Sequence, residues 1–62
     1  MKVREIIKII EANGWQFKRQ KGSHQVYKHP DLDGTVVVPN HGMNTDLKIG
    51  TAKNILKQAG IE

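Results

Sequence analysis

The chain has 62 residues, no cysteine and a formal net charge of +4, which allows one small domain and neither disulfides nor thiolate metal sites. A domain this size buries only roughly 60% of the surface its unfolded chain exposes, so its core is thin and a partner is a natural source of extra stability. No apolar run approaches the ~20 residues of a membrane span, and Arg4, Glu5 and Lys8 interrupt any signal-peptide core, so a soluble, cytoplasmic protein is expected.

Val3, Ile6, Ile7 and Ile10 recur at spacings of 3, 1 and 3, the stripe of an amphipathic helix. That spacing predicts a helix over residues 2 to 13, closed by Asn13-Gly14. Alternation follows. Trp15, Phe17 and Arg19 share one parity and Gln16, Lys18 and Gln20 the other, predicting a strand over 15 to 20 with Trp15 and Phe17 inward. Lys21-Gly22 marks a tight hairpin turn into a second strand over 23 to 29. Asp31-Leu32-Asp33-Gly34 is a second turn, and residues 35 to 38 make a short third strand. Pro39-Asn40-His41-Gly42 breaks the pattern, predicting a mobile loop to about Asp46. Ala52, Ile55, Leu56 and Ala59 repeat the helical spacing, giving a helix over 47 to 59 with Asp46 as N-cap and Gly60 as C-cap. Gly50, early in that helix, reads as close packing, as backbone facing a ligand, or as a helix that starts later.

The predicted order is α-β-β-β-α, an α+β domain. A three-stranded antiparallel meander has one face to cover, and two singly striped helices cover it, leaving the other face open. Parity places His24 with Val26 and Lys28, opposite to Tyr27. With the large ring of Tyr27 toward the helices, His24 and Lys28 lie on the open face. The exposure of Val26 argues for the reverse facing.

Charge singles out the same region. Residues 15 to 29 hold Lys18, Arg19, Lys21 and Lys28 and no acid, whereas residues 30 to 46 hold Asp31, Asp33 and Asp46. Such clustering suits a polyanion better than net charge alone would show, although a merely solvated strand surface has the same composition. His24 and His29 are five apart, and an odd separation on a strand turns the rings to opposite faces, which speaks against a shared zinc. Adjacent Ser23 and His24 likewise point apart, against a hydrolase triad. RNA cleavage asks for less. The 2′-hydroxyl attacks its own phosphodiester, so the protein supplies proton transfer and charge stabilisation, which histidine and neighbouring lysines or arginine provide without metal or cofactor. An ordinary exposed histidine remains the plain alternative.

Further residues bear on that choice. Gly22-Ser23-His24 after Arg19-Gln20-Lys21, then His29-Pro30, Val38-Pro39, Gly50-Thr51 and Ile55-Leu56-Lys57-Gln58-Ala59-Gly60, together resemble the HicA family of toxins. The ordered set, spanning Gly14-Trp15 to Gly60, carries the resemblance; no single piece does. It implies a small mRNA interferase of a type II toxin–antitoxin module, with a fold similar to the double-stranded-RNA-binding domain. It also implies that His24 of Gly-Ser-His is the catalytic residue and that a HicB-type antitoxin covers the active face. Family members often carry a basic or aromatic residue where this chain has Gln25. On this reading Lys18, Arg19, Lys21, Gly22, Ser23 and Lys28 contact RNA, and no metal or membrane takes part. The alternatives are a non-catalytic RNA-binding module, which would tolerate alanine at position 24, and a protein-interaction domain, whose binding would be insensitive to salt.

Overall fold

The structure, a computed structural model, describes residues 1–62. Helix α1 spans Val3–Ala12, strands β1, β2 and β3 span Gln16–Lys21, His24–Lys28 and Val36–Pro39, and helix α2 spans Ile49–Gln58. The three strands form one antiparallel sheet in the order β1-β2-β3. The α-β-β-β-α order and its antiparallel meander match the sequence expectation.

The core draws on every element except β1. Val3, Ile6, Ile7 and Ile10 of α1 meet Ala52, Ile55 and Ala59 at α2, with Tyr27, Val36 and Val38 from the sheet and Trp15 between α1 and β1. Both helices pack over β3. Strand β1 therefore lies beyond their cover, and all six of its residues are exposed. This corrects one expectation. Phe17 stands opposite buried Tyr27 and touches it edge-on, with ring centroids 5.8 Å apart, yet it is 49% exposed. Its parity is inward, but no helix reaches far enough to bury it.

Trp15 ties three elements together. Its backbone N–H donates to the Ile10 carbonyl of α1 at 3.1 Å, its indole N–H donates to the Ala59 carbonyl at the end of α2 at 3.1 Å, and its ring meets His29 edge-on at 5.3 Å. Just before it, Gly14 adopts φ +94°, and a Cβ there would meet the His29 ring nitrogen at 2.5 Å.

Two further expectations are corrected. The segment after β3 is pinned, because the Thr45 and Met43 carbonyls accept the Val3 and Arg4 N–H groups at 2.9 and 3.0 Å, and Leu47 N–H donates to the Met1 carbonyl at 2.8 Å. The first two bonds satisfy donors that the first turn of α1 leaves without intrahelical partners; the Lys2 N–H is taken by the Glu5 carboxylate at 2.9 Å. Asp46 is bridged to Lys2 in this pairing and does not cap α2, whose N-cap is Lys48 with no side-chain bond. Helix α2 thus begins later than expected, at Ile49. Gly50 falls in its first turn with nothing within 4 Å of a Cβ, so neither packing nor close backbone approach accounts for it. At the other end Gly60 (φ +73°) donates to Lys57 and Ile61 to Leu56, the paired closing bonds of a left-handed C-terminal cap.

The same substitution should therefore have opposite signs at two glycines. Gly14→Ala combines left-handed backbone with a clash and should cost ~1–3 kcal/mol. Gly50→Ala should gain up to ~1 kcal/mol. Urea denaturation of both variants checks this, and equal effects would contradict it.

Candidate active site

Strand β1 does not alternate regularly. Gln16 pairs with Lys28 and Phe17 with Tyr27, but the next partner pair is Arg19 with Val26, followed by Gln20 with Gln25 and Lys21 with His24. Lys18 is an extra residue, a β-bulge, so Lys18 and Arg19 together oppose the single Val26. Directly opposed residues of an antiparallel pair share a face. Beyond the bulge, then, the parity of β1 is reversed. Arg19 and Lys21 leave the side of Phe17 and join His24, Val26 and Lys28. Plain alternation predicts the opposite side for Arg19.

On β2 and β3 the facing follows from burial. Tyr27, Val36 and Val38 belong to the core, while Val37, opposite Val26, is 38% exposed. The face away from the helices carries three cross-strand rows: Lys21–His24–Pro39, Arg19–Val26–Val37, and Gln16–Lys28. Val26 lies at its centre and is only 9% exposed, although no helix covers that side. Its cross-strand partners are Arg19 and Val37, and its low exposure answers the objection that it would be left in water. No strand contains an acidic residue. The face is cationic without internal neutralisation.

His24 is exposed and stands first in β2, directly after the hairpin. Gly22 has φ +59° and Ser23 does not share the left-handed region, as in a two-residue turn with glycine leading. The turn is held from two sides. Gln20 Nε2 donates to the Gly22 carbonyl at 2.9 Å, and the Asn40 N–H donates to the Ser23 carbonyl at 2.6 Å. Gln20 belongs to a longer chain, in which Tyr27 OH donates to Gln25 Oε1 at 3.1 Å and Gln25 Nε2 donates to Gln20 Oε1 at 3.4 Å. Gln25 thus links a buried phenol to the turn that presents His24. In the sequence, position 25 is legible only as a departure from the family pattern, because cross-strand bonding is invisible without the register.

The other histidines differ sharply. His29 accepts the Asp31 N–H on Nδ1 at 3.0 Å, which leaves the proton on Nε2 to be donated to the Asn13 carbonyl at 2.9 Å. Both nitrogens are engaged, and the ring packs on Trp15. It fastens the end of α1 to the chain leaving β2. Five residues of extended chain also separate it from His24, about 16 Å. No three His, Asp or Glu side chains come together anywhere in the chain. His41 is exposed in the segment after β3.

Three surface depressions exist, along α1 and α2, and His24 lines none of them. A small substrate is normally enclosed on most sides, which this surface does not do. An open, cationic track suits a chain laid across it.

These features define a class: small basic α+β domains that present a histidine on an open, acid-free sheet. The family model described as HicA toxin of bacterial toxin-antitoxin matches residues 3–61, and the chain belongs to that family. Its members are mRNA interferases, and membership implies a cognate antitoxin. No curated protein matches the chain. No helix is long and apolar enough to cross a membrane.

Two measurements check the division of labour among the buried and exposed rings. His29→Ala should cost ~1–3 kcal/mol in urea, since it leaves polar partners unpaired, whereas His24→Ala should change stability by less than ~1 kcal/mol. Tyr27 has its phenol pKa raised, by burial first and by the Glu11 carboxylate second. A raised folded-state value gives stability that is present below the unfolded value of about 10 and lost as pH rises through the folded one. Above about pH 10 the wild type should therefore lose stability more steeply than Tyr27→Phe. Parallel curves would exclude this role for Tyr27.

Proposed function

We propose that this HicA toxin is an endoribonuclease that cleaves mRNA in the cytoplasm without a metal, with His24 as general acid/base. The observation that carries this reading is the placement of exposed His24 among Lys21, Arg19 and Lys28 on a face that no acid neutralises. Imidazole exchanges protons near neutral pH, since its unperturbed pKa is ~6.5. The 2′-oxygen attacks the adjacent phosphorus, its proton passes to a base, and the departing 5′-oxygen receives one. Arg19 and Lys21 offset charge on the phosphorane. The products are a 2′,3′-cyclic phosphate and a 5′-hydroxyl.

Lys18, Arg19, Lys21 and Lys28 hold the phosphates, and Gly22 and Ser23 bring backbone close to the strand beside His24. Metal independence follows from the donor set, in which no second histidine or carboxylate is placed to share an ion with His24. A HicB-type antitoxin with an acidic surface masks the same face, and it stabilises the toxin by binding only the folded form.

The test is the purified toxin, freed of antitoxin, acting on RNA in excess EDTA. The wild type should cleave; His24→Ala should lose 10²- to 10⁴-fold in rate while still binding RNA. Neutralising Lys21 and Lys28 should weaken binding and reduce the salt slope by ~0.7–0.9 for each phosphate left without its cation. Activity that requires added Mg²⁺ would overturn the mechanism. Full activity in a folded His24→Ala protein would remove His24 from it.

A further inference from the structure

We infer that His41 is the second proton carrier of this site, working with His24 as an acid–base pair; the inference rests on the endoribonuclease reading above. In an in-line displacement the attacking 2′-oxygen and the departing 5′-oxygen lie on opposite sides of phosphorus. One imidazole cannot contact both in a single step. With one histidine, the second proton transfer falls to water or to another side chain.

The structure brings one further histidine to the same end of the sheet. His24 pairs directly with Pro39. The hydrogen bonding of this ladder continues one residue beyond β3, because the Asn40 N–H donates to the Ser23 carbonyl at 2.6 Å. His41 follows, two residues from Pro39, whose face His24 shares. Opposed Cα atoms lie about 4.5–5.5 Å apart and two residues span at most ~7 Å, so the Cα atoms of His24 and His41 are at most roughly 13 Å apart. Two imidazoles reaching toward each other across that span can bracket one phosphodiester.

The segment carrying His41 is held in place. Asn40 Oδ1 accepts the Gly42 N–H at 2.9 Å, folding the chain around His41, and Thr45 N–H donates to the Gly42 carbonyl at 3.0 Å. The Met43 carbonyl is in turn held by the Arg4 N–H of α1. His41 itself is exposed. His29, the remaining histidine, has both ring nitrogens committed and lies at the far end of β2. The chain thus uses one histidine for its architecture and leaves two exposed at the hairpin end of the sheet. The charged groups of the strands that share the face of His24 are Arg19 and Lys21 from β1 and, at the other end of β2, Lys28; β3 has none.

In the forward step one imidazole takes the 2′-hydroxyl proton as the O2′–P bond forms. The other, entering as imidazolium, gives its proton to O5′ as the P–O5′ bond breaks. The pair ends with its protonation states exchanged, and solvent restores them. No oxidant, metal or further reactant is involved.

The test compares wild type, His24→Ala, His41→Ala and His41→Gln, each confirmed folded by circular dichroism. The substrates are two oligonucleotides cleaved at one defined ribonucleotide, one ordinary and one with sulfur at the bridging 5′ position. Wild type should show a bell-shaped pH–rate profile. Both His41 variants should lose 10²- to 10⁴-fold on the oxygen substrate, together with one limb of the bell. A thiolate leaves without protonation, so the sulfur substrate should rescue whichever alanine variant lacks the acid and not the other. Wild-type rates in His41→Ala beside an inactive His24→Ala would overturn the pair and leave the single-histidine reading standing. A slowed His41→Ala that keeps both limbs would also overturn it, as a binding or shape effect. Wild-type cleavage by His24→Ala would instead defeat the endoribonuclease mechanism itself.

Discussion

The architecture turns on Trp15. A thin core has few ways to hold two helices and a sheet in register, and this one residue bonds to the ends of both helices, through its backbone to α1 and its indole to α2, while its ring seats His29. The indole N–H reaches Ala59, forty-four residues away in the chain. Burying so large a ring leaves its one polar atom in need of an acceptor, and the unsatisfied carbonyls at a helix end supply it. Gly14 is the complementary constraint, because a side chain there would displace the ring that packs on Trp15. The junction lies at one end of the sheet; the hairpin with His24 lies at the other.

That separation leaves stability to residues other than the exposed basic ones. All twelve buried residues are apolar or aromatic, and none of the four basic residues on β1 and β2 is among them. The open face is free to be cationic because the core makes little demand on it. The hairpin is ordered by the chain from Tyr27 through Gln25 and Gln20 to Gly22, which runs from the core out to the exposed turn on the opposite side of the sheet from His24. A buried phenol thereby braces an exposed turn through the two residues that alternate with the site residues.

Much of the fold was legible because two periodicities dominate the chain. The 3, 1, 3 spacing of Val3, Ile6, Ile7 and Ile10 marks α1, and Ala52, Ile55 and Ala59 mark the buried side of α2. The Gly-Ser-His stretch and the acid-free run both direct attention to the hairpin end of the sheet. What eluded the sequence were features that only pairing decides. The bulge at Lys18 has no glycine or proline to announce it, and it reverses the facing of Arg19 and Lys21. Phe17 has inward parity, but its exposure depends on how far the helices extend across the sheet. Asp46 has the chemistry of an N-cap, yet the strand-like pairing of residues 43 to 47 with the N-terminus draws it away. His29 resembled a possible ligand and became a fastening, since the Asp31 N–H and the Asn13 carbonyl both converge on it.

The bulge has one more consequence, for how copies of the chain treat each other. Strand β1 is an edge, and an edge strand offers unpaired backbone groups on which a neighbouring molecule can build a continuous sheet. A flat six-residue edge on a marginally stable domain would invite aggregation. Here the edge is kinked by its extra residue and carries Lys18, Arg19 and Lys21, so two copies approaching edge to edge meet a broken bonding pattern and like charges. The cations that set this face apart therefore also work against edge-to-edge pairing of two copies.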